Sequence, residues 1–219
     1  MTDRCNTRRA LLGSATLALA TLALPAIASS RRAIARMTDG PFYPPRAWRE
    51  RWTDWDADLT RVQVQGETLV AKGEHLGLEG RIVDGGGRVI DGAEVEIWQC
   101  DAWAHYRHPA TERTADPVDP GFQGFGATRS SAGGQFRFRT IKPVPYPGRT
   151  PHIHVKLRHA SFGEVTSQLF VAGDPGNARD GLWRGLNADD RPALEMQLQP
   201  GPADSGLRWL VRHDLVVPA

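Results

Sequence analysis

Two histidines separated by one residue, His152 and His154, and a set of only three tyrosines, Tyr43, Tyr106 and Tyr146, are the residues here best suited to chemistry. The histidines close the segment Tyr146-Pro147-Gly148-Arg149-Thr150-Pro151-His152-Ile153-His154. On a strand, alternate side chains share a face, so both imidazoles point one way while Ile153 and Val155 point to the other. Two imidazoles on one face are half of a metal site, and equally they fit a solvent-facing strand edge. The tyrosines add weight to the metal. A phenol loses its proton only near pH ~10, so a tyrosinate ligand calls for a hard, highly charged ion such as Fe(III). Zn(II) favours thiolate, imidazole and carboxylate, and the facial triad of Fe(II) oxygenases needs a carboxylate beside two histidines. Asp101 could offer one, but nothing in the sequence places it on the face of His152 and His154. Tyr146 sits six residues before His152, held between Pro145 and Pro147, and Tyr106 follows the apolar run that ends at Cys100.

The elements that must position these groups read as strands. Residues 78–83 form one, followed by the tight turn Asp84-Gly85-Gly86-Gly87. Residues 93–99 form another, with Val95 and Ile97 alternating with Glu94 and Glu96. The turn Ser130-Ser131-Ala132-Gly133-Gly134 leads into Phe136 and Phe138, which alternate with Arg137 and Arg139. Residues 152–158, 165–172, 194–199 and 207–217 complete the set, with a helical turn expected within 189–196. About seven short strands with turn-rich connections predict an all-β fold, a β-sandwich of mainly antiparallel strands with long active-site loops and a little helix. Trp48, Trp52 and Trp55 read as a short helix or an aromatic wrap that packs rather than stacks on a ligand. Trp98 reads as core, and Cys100, the one cysteine past Cys5, as a buried thiol.

The chain is long enough to bury a full core without staples. Its formal charge of +2 comes from the first 28 residues, where Arg4, Arg8 and Arg9 outweigh Asp3. The rest is formally neutral, which excludes the basic excess that nucleic acid or an anionic membrane would attract. Thr7-Arg8-Arg9-Ala10-Leu11-Leu12 is a twin-arginine pattern, residues 17–24 supply an apolar stretch, and Ala26-Ile27-Ala28 fits a cleavage site. A retained anchor is disfavoured because Thr21 and Pro25 interrupt a run already short for a span. The expected organisation is a twin-arginine-type signal at 1–28, an N-terminal arm and wrap at 29–75, and a catalytic β-sandwich at 76–219. The expected location is periplasmic or secreted, with no stable membrane span after cleavage.

The sequence resembles the intradiol ring-cleavage dioxygenases, most closely the protocatechuate 3,4-dioxygenase group in its beta-subunit-like form. The resemblance runs from about residue 38 to 174, through Asp39-Gly40-Pro41-Phe42-Tyr43-Pro44, Gly80-Arg81-Ile82-Val83-Asp84, Ala93-Glu94-Val95-Glu96-Ile97-Trp98-Gln99, Tyr106-Arg107-His108, Phe138-Arg139-Thr140-Ile141-Lys142-Pro143, Arg149-Thr150-Pro151-His152-Ile153-His154 and Ser167-Gln168-Leu169-Phe170. The resemblance implies one non-haem Fe(III) per chain, held by Tyr106, Tyr146, His152 and His154. A catecholic substrate would displace Tyr146, the axial tyrosinate. With O₂ the ring would then open between its two hydroxyl-bearing carbons to a muconate-type diacid, a step in aromatic-compound breakdown. It implies a catalytic role for Arg149, whose fixed cation would stabilise anionic character on the ring, and for Gln168. It places Gly40 and Pro41, with Arg149 and Gln168, along the substrate. Arg107 and His108 are expected behind the ligands or at the surface, and His75, His105, His159 and His213, which have no motif around them, as structural or exposed.

The sequence departs from the family between Tyr146 and His152, a much shorter connection than in the well-known enzymes, with Gly148 where the protocatechuate enzymes carry a tryptophan. A shallower, more open pocket is expected. The helical dimerisation region of the catechol 1,2-dioxygenases has no counterpart, which leaves a homo-oligomer open. Two other readings compete: a transthyretin-like binding module, which needs no paired Tyr and His, and a zinc or copper enzyme built on the two histidines.

Overall fold

Alternation along each strand decides which residues meet between the sheets. The computed structural model describes Met1 and residues 31–52, 54–114 and 117–218; the expected signal, except for Met1, lies outside the described residues. In chain order the elements are α1 (Arg46–Arg49), β1 (Arg61–Val64), β2 (Glu67–Val70), β3 (His75–Asp84), β4 (Glu94–Trp98), α2 (Pro109–Thr114), β5 (Phe125–Arg129), β6 (Gln135–Ile141), β7 (His152–His159), β8 (Gly163–Val171), α3 (Gly181–Gly185), β9 (Glu195–Met196), β10 (Gln199–Pro200), β11 (Trp209–Arg212) and β12 (Leu215–Val217). One sheet runs β10-β11-β3-β12 with β6 paired to β3, the other runs β5-β4-β7-β8-β9, and β1-β2 is a separate hairpin.

Leu76, Leu78, Ile82, Phe136, Phe138 and Val211 from the first sheet meet Val95, Ile97, Ile153, Val155, Leu157 and Leu169 from the second in one buried core. This is the expected sandwich, and Ile153 and Val155 face inward as alternation requires. Pairing is mainly antiparallel, with β11 and β12 parallel to β3 and β9 parallel to β8.

The single strand expected over 207–217 is two. β11 and β12 lie along the same edge of β3 and are split at His213-Asp214. There the backbone presses on Gly80, where a Cβ would sit 1.9 Å from the His213 carbonyl oxygen. Only glycine admits that approach. The expected strand at 194–199 follows a 3₁₀ turn at Arg191–Leu194 and is two two-residue strands in different sheets, β9 beside β8 and β10 beside β11, with the crossing at Gln197-Leu198. The hairpin β1-β2 and strand β5 were not anticipated. β1 alternates polar and apolar residues, but it is only four residues long and, like β2, mostly exposed, and Gly126 interrupts β5.

The N-terminal arm does more than wrap. Ile34, Leu59 and Ala71 join the core. The Met37 amide donates to the Thr166 carbonyl, and Asp39 pairs with Lys156 at 2.6 Å and accepts from the Thr166 hydroxyl at 2.7 Å. Tyr43 donates to Glu96 at 2.8 Å and packs edge-on against Trp98. The arm thus crosses the outer face of the second sheet, over the residues that alternation turns away from the core.

Candidate metal centre

The outer face of the second sheet carries a cross-strand row. Phe125 is opposite Trp98, Trp98 opposite His154, and His154 opposite Gln168; one step along, His152 is opposite Phe170. Strand geometry alone therefore brings both imidazoles and the Gln168 amide together.

Tyr146 reaches the same spot through a tight turn. The Arg149 amide donates to the Tyr146 carbonyl at 2.9 Å, closing a four-residue turn with Pro147 and Gly148 at its centre. Proline presets the first central position, and the second needs a positive φ, which Gly148 adopts at 81°. This is why the connection can be short, and it puts the Tyr146 hydroxyl 3.3 Å from the Arg149 guanidinium. Tyr106 arrives from the loop after β4. Asp101 builds that loop: its carboxylate accepts from the amides of Trp103, His105 and Asp119 at 2.8–3.0 Å. Its oxygens are committed to backbone, so it is a loop organiser rather than a ligand.

The four donor side chains converge. Ring centroids lie 4.8 Å apart for His152–His154, 5.5 Å for Tyr146–His152, 5.8 Å for Tyr106–Tyr146 and 6.2 Å for Tyr106–His154. The Nε2 atoms of His152 and His154 face each other at 3.2 Å. His152 Nδ1 lies 2.7 Å from the Thr150 carbonyl, so it carries the proton and leaves the Nε2 lone pair free. The Tyr106 hydroxyl is buried with no hydrogen-bond partner among the described residues. Neighbouring nitrogens on one metal at about 2.0–2.1 Å would stand about 3 Å apart, close to what is seen. Facing Nε2 atoms beside a buried phenol fit a metal ion with mixed imidazole and phenolate donors. Among the described residues no cluster of three or more His, Cys, Asp or Glu could hold a metal, so the tyrosines are what complete this one.

The electrostatics agree with that donor set. Burial, helped by Arg149, lowers His152 to about 4, and burial followed by His152 and Arg149 holds His154 well below the ordinary imidazole value. Both are therefore neutral near pH 7, as ligands must be. Burial pushes the Tyr106 phenol well above its usual value, with Tyr146 adding to the effect, and burial also raises Tyr146 against the pull of Arg149. Burial outweighs Arg149 and keeps both phenols protonated at neutral pH, so the charge to hold a phenolate has to come from a bound cation.

The other predicted residues surround the donors. Arg149 donates through Nη2 to the Gln168 side-chain oxygen and through Nε to Asp180 at 2.8 Å. The Gln168 amide nitrogen is buried without a partner among the described residues. Gly40 lies against His154, where a Cβ would sit 3.4 Å from its Cε1; Pro41, the next residue, is exposed. A cavity of about 360 Å³ opens beside the turn, lined by Tyr146, Gly148, Arg149, Thr150, Arg179 and Asp180. Arg107 pairs with Asp54 and lies over Trp52, while His108 is buried edge-on to Phe42.

Three contributors escaped the sequence reading. Trp98, read as core, is buried with Cys100, Tyr106 and Phe125, and it also stacks on the His154 imidazole at 4.7 Å and 11°. The alternation that turns Val95 and Ile97 inward turns Trp98 outward, so the signal was present. Phe42 stacks on Tyr106 at 4.6 Å and 13°, a contact between distant segments with no local signal. Asp180, which caps α3, falls in no motif that the sequence offered.

The chain matches the family model described as "Dioxygenase" over residues 39–188. It is 38% identical to the protocatechuate 3,4-dioxygenase beta chain of Burkholderia cepacia, over 80% of this chain and 77% of that one. It is 29% identical to the hydroxyquinol 1,2-dioxygenase of Corynebacterium glutamicum, over 54% of this chain but only 43% of that enzyme. In three dimensions it is similar to the dioxygenase domain of a dioxygenase–carbohydrate-binding protein fusion from Streptomyces sp. SirexAA-E, with a TM-score of 0.59, 25% identity and coverage of 86% of this chain and 99% of that one. The paired tyrosines and histidines thus stand in a sequence and fold that agree with them, and the chain belongs to the intradiol ring-cleavage dioxygenases.

Proposed function

We propose that this protein binds one non-haem Fe(III) per chain through Tyr106, Tyr146, His152 and His154. With O₂ it opens catechol-type rings between the two hydroxyl-bearing carbons to give muconate-type diacids. The observation that carries the proposal is the buried convergence of two neutral imidazoles with facing Nε2 atoms, 3.2 Å apart, and two tyrosine side chains, the Tyr106 hydroxyl having no hydrogen-bond partner within normal distance among the described residues. The bound ion would supply Lewis acidity, withdrawing electron density from a catecholate. A transthyretin-like binding module would have no use for this cluster, and a zinc or copper site would not call for two phenols. All four donors come from one chain.

Tyr106 is buried, whereas Tyr146 is only partly buried and lines the cavity, which makes Tyr146 the donor that gives way to substrate. Arg149, beside the Tyr146 hydroxyl, places a fixed cation where negative charge gathers on the ring. The Gln168 amide nitrogen, without a partner among the described residues, would donate to a substrate oxygen, and Gly40, beside His154, and Pro41 would lie along the substrate. The short turn leaves the cavity open beside Tyr146, which suits catechols larger than the parent ring. The twin-arginine segment supports export of the folded protein to the periplasm or beyond.

Colour and product together test the proposal. Iron-loaded protein should be reddish-brown from tyrosinate-to-Fe(III) charge transfer. Across a panel of catechol, protocatechuate, hydroxyquinol and substituted catechols, product spectra should show muconate-type diacids. A colourless iron-loaded protein that turns over none of the panel would refute it.

A further inference from the structure

Asp180 belongs to neither the ligand set nor any recognised motif, yet its side chain is fully buried against the Arg149 guanidinium. Its two oxygens divide their work. Oδ1 accepts from the amides of Leu182 and Trp183, at 2.9 and 3.0 Å, and so caps α3. Oδ2 accepts from Arg149 Nε at 2.8 Å and from the Thr150 amide at 3.0 Å. The Thr150 carbonyl in turn meets His152 Nδ1. The guanidinium nitrogens beyond Nε go to the Tyr146 hydroxyl and the Gln168 side-chain oxygen. Burial raises this carboxyl's value, but the Trp183 and Thr150 amides and Arg149 outweigh it and hold it below the ordinary carboxylate range, so Asp180 is ionised.

Without that anchor the guanidinium has somewhere else to go. The cavity beside the Pro147-Gly148 turn is lined by Arg149 itself, and a long cation freed of its carboxylate turns toward water. We propose that Asp180 is a positioning residue: its Oδ2 fixes the Arg149 guanidinium over the site and ties it to the backbone that carries His152. The assignment rests on Arg149 acting on substrate, as set out above. Its geometric half stands apart from that reading and can be measured without metal.

Asp180→Ser separates the two oxygens. Serine is a good helix N-cap, so α3 keeps its cap, but the shorter side chain cannot also reach Arg149. In metal-free wild-type protein the Arg149 Nε–H should give a slowly exchanging NMR signal; in Asp180→Ser it should exchange fast, with the fold and melting otherwise retained. The iron-loaded variant should keep its iron and colour, lose kcat by ~10²-fold, as misplacement by about 1 Å does, and change KM little. In an Arg149→Ala background Asp180→Ser should cost no further rate, since both changes remove one function. An unchanged Arg149 signal, a kcat loss that multiplies with Arg149→Ala, or loss of iron would each overturn the proposal. Should Asp180→Ser not fold, Asp180→Asn, which keeps the volume and removes the charge, carries the same measurements. A protected Arg149 signal lost in the variant, in protein that cleaves no catechol, would sink the dioxygenase reading and leave the positioning intact.

Discussion

Tyr106 and Tyr146 have the same side chain and opposite surroundings. Tyr106 is sandwiched between Phe42 and the donor cluster, whereas Tyr146 sits on a turn with Arg149 against its hydroxyl. Removing Arg149 takes away a cation but no ligand. Arg149→Ala should therefore keep iron and colour while kcat falls by ~10²–10³-fold, the usual cost of one stabilising group at developing charge; loss of iron measured by metal analysis would show that the residue supports the ligands instead. His154→Ala should lose both iron and activity, because its ring lies between Trp98 and His152 and no other described side chain replaces it. At this scale the sequence showed some residues more plainly than others. The shared face of His152 and His154 follows from the period of a strand, and Tyr146 follows from proximity. Tyr106 comes from a loop far along the chain and was legible mainly through resemblance. Asp180 was not legible as a site residue, since its pairing with Arg149 depends on how two loops fold back on each other.

The elements that hold the site are a strand, a turn and an arm. β7 fixes the histidines, the Pro147-Gly148 turn sets Tyr146 beside Arg149, and the arm closes the outer face. Lys156 shows how the arm is fastened: its ammonium is buried, 3.9 Å from the Tyr43 ring centre, and paired with Asp39. Lys156→Met should release residues 38–43, seen as faster proteolysis there and weaker iron retention during dialysis against chelator; unchanged cleavage and retention would show that the arm is held by its apolar contacts alone. On the opposite sheet, Gly80→Ala would drive a methyl into the His213 carbonyl. Overpacking of this kind costs roughly 1–3 kcal/mol or more, and each kcal/mol lowers Tm by about 2–4 °C at this chain size. The strands with clean alternation, β4, β6 and β7, were readable from the sequence. β11 and β12 merged into one, because their break comes from parallel pairing to a strand over a hundred residues away, which no local pattern encodes.

Taken as a whole, the molecule folds around groups that resist protonation. Burial holds His152 at about 4 and His154 well below the ordinary value, and burial also lowers His213, whose Nε2 meets the Ala193 carbonyl. In the unfolded chain these imidazoles take up protons near pH ~6.5. Between that pH and their folded values, the unfolded state binds more protons than the folded one. Stability is thus greatest above about pH 6.5 and falls as pH drops through this window. The carboxylates whose values are lowered in ion pairs, Asp39, Asp180 and Asp214, add their loss only in a lower range, as pH falls through the carboxylate region. Metal-free protein should therefore show a Tm that declines steadily from pH 7 to pH 4.5. His154→Gln, which removes one buried titrating group, should decline less steeply over the same range. Bound iron should hold the wild-type Tm higher at neutral pH, since the ion binds only the folded state, and the advantage should shrink as acid competes for the same nitrogens. A Tm independent of pH in the metal-free protein would mean that the two imidazoles are not buried neutral, and the donor set built on them would fail with it.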